Sequence, residues 1–444
     1  MKILFASMPA DGHFNPLTGV AVHLRGLGHD VRWYTGPTYA KKLAAMEVPH
    51  LPFVRADDVN GENIPERFPE YKDLGLGPKA IAFALEKIFF GNLAAHLDDI
   101  TAYRASFPFE AIVFDGAFYA GRLVAEKHKV AAYTVWPSPT PAPVSRQAPP
   151  PFFGLKPMGG PFGRLRDFIV KKMLASSMTS GLKLLSELRV REGMAPFTAD
   201  LFDIHVDTSR ALFSWGCPGL EFPRTDWPKN AQFVGALLPH QKASGAALPT
   251  ALVEKLARYG GKCVVVSQGT IDNRDASKLF VPSLTAFTTK ESLRQQLLVV
   301  TTGGLHTVDL RVRFGAHDNV VIEDWINFNE LLPCASLFIS NGGAGSVMHA
   351  LVNGVPIVAA GKLEGKNDIN ARLDFNKLAV DLRTERPTAD QLAAGVARVL
   401  GDPKYRANVE RVRAELATYD SNAIIARAIL GESDSNVTPL RRAS

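Results

Sequence analysis

Several features that would assign a chain quickly are scarce here. Cysteine occurs three times in 444 residues, at Cys217, Cys263 and Cys334. No two of them stand at metal-ligand spacing, which argues against a cysteine-built metal site, and few scattered thiols suit a reducing compartment. A cytoplasmic location is the expectation. Charge of one sign is also short: Lys and Arg number 50 against 44 Asp and Glu, and part of the surplus is the terminal Arg441-Arg442. No dense basic run is present, so a nucleic-acid partner is not expected. No apolar run reads as the roughly 20 residues of a transmembrane segment. The N-terminus offers one lysine and a strand too short for a signal-sequence core. After that strand comes MPADGHFNP (residues 8–16), without the glycine triplet of a Rossmann dinucleotide site, which counts against a nicotinamide-dependent oxidoreductase.

What is present is alternation. Strand-like and helix-like stretches succeed one another along nearly the whole chain, the pattern of an α/β protein with parallel sheets. KILFAS (2–7) reads as a buried strand, followed by a turn from Met8 to His13 and a helix from about Asn15 to Arg25. DVRWYT (30–35), AIVF (111–114) and VAAYTV (130–135) read as further strands, with a helix from about Ala117 between the last two. The polar, proline-punctuated stretch 238–250 reads as a linker between a half spanning 1–237 and a half spanning 251–430. Residues 431–444 read as a disordered tail. Two inserts interrupt the first half. Residues 60–105 read as loop and then helix; 137–162, rich in proline, glycine and phenylalanine, reads as an irregular surface loop, the wall of an apolar pocket, or a proline-rich ligand.

The most specific stretch is SNGGAGSVMHALVNGVPIVAAG, Ser340 to Gly361. An apolar strand stops at Asn341-Gly342-Gly343, apolar residues return at helical spacing, and Gly354 closes the helix before another strand. The turn gathers free backbone N–H groups at the positive end of a helix dipole, a ready phosphate site. Ser346 adds a hydroxyl. His13 and Asp115 each follow a strand, at the sheet edge where open α/β folds bind ligands. Together they could form a base and its partner carboxylate; separately, His13 could pack or cap, and Asp115 could cap the next helix. Gly269-Thr270 follows the strand 262–267, and Trp325 follows another, where it could stack on a flat ring or simply pack. Glu364 and Lys366 lie just past the strand that ends near Ala360.

Taken together these pieces resemble the family 1 nucleotide-sugar glycosyltransferases, over about residues 1 to 430. The carriers are GHFNPL with His13, then Asp115, Trp325, Gly342-Gly343, Ser346, Gly354-Val355-Pro356 and Glu364. Natural-product enzymes such as macrolide glycosyltransferases are the nearest type. The resemblance implies a GT-B fold: two Rossmann-like domains facing across a cleft, with the last helix able to cross back to the N-terminal one. It implies inverting transfer of a hexose from a nucleotide diphosphate sugar, UDP-linked in preference to dTDP-linked, to a hydroxyl of a lipophilic small molecule. His13 would be the base and Asp115 its partner. Gly269, Thr270, Trp325, Ile326, Asn341, Gly342, Gly343, Ala344, Gly345, Ser346, Glu364 and Lys366 would hold the donor. Phe14, Phe83, Phe118 and Trp136 would line the acceptor pocket. No metal and no cofactor are expected, since no Asp-x-Asp pair stands at a suitable strand end and a helix N-terminus can take the leaving diphosphate. The chain departs from the family pattern at Asn341, where histidine is usual, and at Ile326-Asn327, where Pro-Gln is usual. It departs again at His349 for a ribose-binding glutamate and at Glu364-Gly365-Lys366 for Asp-Gln. An epimerase or hydrolase of the same fold and a silent nucleotide-sugar-binding scaffold are the alternatives.

Overall fold

The computed structural model describes residues 1–75, 77–139, 145–198, 200–240, 247–269 and 272–432. The first half forms a seven-stranded sheet from β1 (Lys2–Ala6), β2 (Asp30–Thr35), β3 (His50–Pro52), β4 (Ala111–Asp115), β5 (Ala131–Trp136), β6 (Ser209–Ser214) and β7 (Ala231–Phe233). Its order is β3-β2-β1-β4-β5-β6-β7 and every neighbouring pair is parallel. The second half forms a six-stranded sheet from β8 (Cys263–Ser267), β9 (Leu297–Thr301), β10 (Val320–Glu323), β11 (Leu337–Ser340), β12 (Ile357–Ala359) and β13 (Ala379–Asp381). Its order is β10-β9-β8-β11-β12-β13, again parallel throughout. Central strands such as β4, β8, β9 and β11 are buried along their whole length. That is why they read as unbroken apolar runs: helices cover both faces of a parallel sheet.

The chain order gives each sheet one switch point, between β1 and β4 in the first and between β8 and β11 in the second. Loops leaving the carboxyl ends of such strand pairs diverge and leave a crevice. The first crevice is where His13 and Asp115 emerge; the second is where Gln268-Gly269 and the glycine turn emerge.

The halves are tied together at several places. The Ser421–Leu430 helix packs on the Asp11–Gly26 helix of the first half. Gly19 makes room, since a Cβ there would stand 2.8 Å from Asn422 Oδ1. The Tyr133 hydroxyl donates to the Ile429 carbonyl at 3.3 Å, and the Ser421 hydroxyl to the Ala236 carbonyl at 2.8 Å. A second bridge runs through the proline-rich insert. The N–H groups of Phe152 and Gly154 donate to the Asp368 carboxylate at 2.5 and 2.9 Å, and Arg372 Nε pairs with Glu221 Oε1 at 2.5 Å. Burial raises the Asp368 pKa, against the opposing pull of Arg372 and these two N–H groups.

Several expectations are revised. The helix carrying His13 begins at Asp11, not Asn15, because the Ala10 carbonyl already accepts from the His13 and Phe14 N–H groups. The insert 137–162, as far as it is described, is less a surface loop than a strut, with Ser145 and Ala148 buried and Phe152 and Gly154 docked on the other half. The longest helix, Gly160–Arg191, has no counterpart in the sequence reading. Its apolar residues do not keep to one stripe: Leu174, Met178 and Leu185 are buried while Phe162, Leu165, Phe168 and Ile169 are exposed. One stretch, Pro78–Arg104, is long and apolar enough to cross a membrane by length and composition, contrary to the reading above. It breaks at Phe90-Gly91-Asn92, and its Leu93, Leu97 and Ile100 lie in the core of the first half. The three cysteines are free, Cys217 and Cys263 buried and Cys334 exposed. The expected disordered tail falls almost wholly on residues 433–444, and much of the linker on 241–246, outside the described residues.

Candidate active site

At the first switch point, Asp115 is fully buried and ends β4. Three N–H donors converge on its carboxylate: Met8 N at 2.8 Å on Oδ2, Ala117 N at 2.9 Å on Oδ1, and the His13 ring nitrogen Nδ1 at 2.8 Å on Oδ1. The helix after β4 begins at Ala120, not near Ala117, and its N-cap is Tyr119, so Asp115 is not the helix cap that the sequence also allowed. It caps the turn that follows β4, and it orients the imidazole. His13 sits in the first turn of its helix with its side chain 32% exposed. Nδ1 is engaged by the carboxylate, and Nε2 makes no hydrogen bond to a described residue. Burial works against the imidazolium, but the charge and hydrogen bond of Asp115 outweigh it, and Glu364 adds to them. The His13 pKa is thus raised above 6.5. An imidazole held by one nitrogen on a buried carboxylate is arranged to take a proton at the other.

At the second switch point, Gly342 adopts φ +86 and lies so close to Asn370 that a Cβ would stand 2.1 Å from its Oδ1. Only glycine fits both demands. Gly343 is the N-cap of the Ala344–Val352 helix and brings no side-chain cap, so the amides of Ala344, Gly345 and Ser346 form its open N-terminus. Gly269, after β8, also takes a positive φ, and a Cβ on it would lie 3.9 Å from Asn341 Nδ2. Thr270 lies outside the described residues.

Asn341 departs from expectation. It is buried, its Nδ2 donates to the Gln268 carbonyl at 2.6 Å, and its Oδ1 accepts from Gly343 N at 3.2 Å. The amide braces the β8 loop against the glycine turn, where a phosphate-facing donor was expected. Trp325 is 70% exposed and lies over the Gly303-Gly304 turn, with Nε1 3.6 Å from where a Gly304 Cβ would be. Its neighbour Ile326 packs against the core instead. Glu364 has φ +57 and its side chain is exposed; its Oε2 accepts from the buried Lys366 Nζ at 2.8 Å. His349 is buried on the same helix as Ser346, with Nδ1 unpartnered and its pKa lowered by burial.

Glu364 links the two edges, since its charge raises the pKa of His13 and, after burial, that of Tyr71. Tyr71 belongs to the first insert and stacks on Phe83, ring centroids 5.6 Å apart. The sequence reading passed over Tyr71, which lies in a stretch with no helical or strand period to mark it. Of the expected acceptor-pocket residues, Phe83 is half-buried beside Tyr71. Phe14 and Phe118 are corrected. Phe14 is fully buried between Trp33 and Tyr39, and Phe118 is buried against Tyr34 and His96. Both are core side chains. Trp136 is buried at the end of β5 with its ring against Gly116 and its Nε1 unpartnered.

Residues 307–430 match the family described as erythromycin biosynthesis protein CIII-like, C-terminal domain. Over 421 residues the chain is 30% identical to 4'-demethylrebeccamycin synthase of Lentzea aerocolonigenes, covering 95% of this chain and 96% of that protein. It is 27% identical to UDP-glycosyltransferase 2 of Phaeomoniella chlamydospora over 434 residues, 96% of this chain and 94% of the relative. In fold it is similar to the calicheamicin glycosyltransferase CalG4, with a TM-score of 0.71 at 18% identity and 97% of each chain covered. A spinosyn rhamnosyltransferase complexed with thymidine diphosphate gives a TM-score of 0.66 at 15% identity, covering 97% of this chain and 100% of that one. The chain is an enzyme that transfers a sugar from a nucleotide sugar to an acceptor, and it belongs to the family 1 glycosyltransferases of the GT-B fold.

Proposed function

We propose that the transfer inverts the anomeric centre, with His13 as the base and Asp115 as its partner. The observation that carries this is the His13 Nδ1 to Asp115 Oδ1 contact of 2.8 Å at one switch point, with Glu364 of the other half near enough to act on the same imidazole. His13 Nε2 takes the acceptor hydroxyl proton as the oxygen attacks the anomeric carbon in line. The C–O bond to the diphosphate breaks with its electron pair, and the leaving charge falls on the amides at the start of the Ala344–Val352 helix. No metal is called for in this reading. Trp325 flanks the base and Glu364 takes sugar hydroxyls. The relatives named UDP-glycosyltransferases favour a UDP-linked hexose. The acceptor is a lipophilic, hydroxyl-bearing small molecule; the aromatic pair Tyr71–Phe83 beside Glu364 supports its apolar character.

The test is His13→Ala, assayed for UDP-hexose transfer to a mixed panel of phenolic and macrolide acceptors. The expected result is loss of transfer with nucleotide affinity, read by thermal shift, retained. Transfer at the wild-type rate would refute the base assignment.

A further inference from the structure

The Glu364–Lys366 pair is built in a way that sugar recognition alone does not explain. Glu364 is held at φ +57, a left-handed conformation that residues with a Cβ rarely adopt. The kink leaves the Glu364 side chain 55% exposed and its partner Lys366 9% exposed. Lys366 opens the Lys366–Phe375 helix, so a buried ammonium sits at the positive end of a helix dipole, the end that disfavours cations. Its stem also runs beside the glycine turn. A Cβ on Gly361 would lie 2.1 Å from the Asn341 carbonyl oxygen and 3.3 Å from Lys366 Cδ. Asn341 itself is neutral and committed to Gln268 and Gly343. The stem of a cationic residue thus runs beside a turn whose own side chain carries no charge.

We propose that Lys366 is the cation for the donor diphosphate, exchanging Glu364 for a phosphate oxygen when the donor binds, and that Glu364, so released, turns to the sugar hydroxyls. The inference rests on the nucleotide-sugar reading above. A dianionic diphosphate outcompetes a single, half-exposed carboxylate for the ammonium, and the attraction grows as the leaving group gains charge. The exchange makes the carboxylate available only when a phosphate has taken its partner. An intact nucleotide sugar then satisfies both halves of the pair, and the spent nucleotide satisfies one.

Titration calorimetry with UDP and with UDP-glucose on the full chain separates the outcomes, with dTDP as a second probe. Lys366→Met is expected to weaken UDP binding about 10- to 100-fold, the scale of one charged hydrogen bond. Glu364→Gln is expected to move the other way, binding UDP as tightly as wild type or tighter, while losing the preference of UDP-glucose over UDP. A pair that serves only to brace the loop would give the same weakening from either substitution, and that result overturns the proposal. So does UDP affinity within twofold of wild type in Lys366→Met. Should Lys366→Met not fold, the direction of the Glu364→Gln change decides by itself. Wild-type protein that binds neither UDP nor dTDP would remove the nucleotide-sugar reading together with this inference.

Discussion

Asp115→Asn isolates the charge of the partner carboxylate while keeping its shape. In the structure three N–H groups point at the two carboxylate oxygens, Ala117 and His13 at Oδ1 and Met8 at Oδ2. A carboxamide has one acceptor oxygen. With that oxygen toward His13 and Ala117, its NH2 group faces the buried Met8 N–H and leaves one donor unsatisfied. The cost is about 1–3 kcal/mol of stability, measurable by denaturant titration. The imidazole stays in place, yet the amide cannot balance an imidazolium, so transfer should fall about 10²- to 10⁴-fold, or roughly 3–5 kcal/mol of barrier. A pH profile supplies the internal check. The His13 pKa is raised in the folded chain, so kcat/KM rises as pH climbs through a value above 6.5, where the base becomes neutral. Asp115→Asn should shift that limb downward. Linkage has the same origin. Protonated His13 adds stability that is fully present below the unfolded value of about 6.5 and is lost as pH rises through the folded value. The variant should lack this dependence. A variant that transfers within threefold of wild type, with an unmoved acid limb, would refute the dyad.

Other consequences can be checked with single substitutions. Gly342→Ala places a Cβ at φ +86 and 2.1 Å from Asn370 Oδ1, displacing a buried side chain that donates to the Gly361 carbonyl at 3.0 Å. It should cost about 2–4 kcal/mol in denaturant unfolding and lose nucleotide binding; unchanged stability would contradict the close approach. Trp325→Ala removes a side chain that is 70% exposed, so stability should stay within about 0.5 kcal/mol. UDP affinity should fall about 5- to 100-fold if the indole stacks on the base. Equal affinity in calorimetry would assign the indole to the surface alone.

Much of this was legible in the sequence because parallel strands are buried on both faces and so announce themselves as apolar runs. The same runs locate their own carboxyl ends, and with them His13, Asp115 and the glycine turn. Gly342 was marked by the break between an apolar strand and a helical period, and its φ of +86 and the close approach of Asn370 give the reason glycine stands there. The long Gly160–Arg191 helix was not legible, since its apolar side chains fall on exposed and buried faces alike. Phe14 and Phe118 show the converse limit. An aromatic beside a functional residue can point into the core as readily as into a cleft, and composition does not distinguish the two.

The sequence by itself determined the α/β alternation, the two halves and the residue types at each strand end, because these follow from local periodicity and turn chemistry. Only the tertiary structure decided which ends meet. It put Asp115 within 2.8 Å of His13 across a sequence gap of 102 residues and brought the charge of Glu364 to bear on both His13 and Tyr71. It also turned the amide of Asn341 inward, onto Gln268, and set the stem of Lys366 beside Gly361. Orientation of a side chain depends on the partners that packing supplies, and those partners lie far away along the chain.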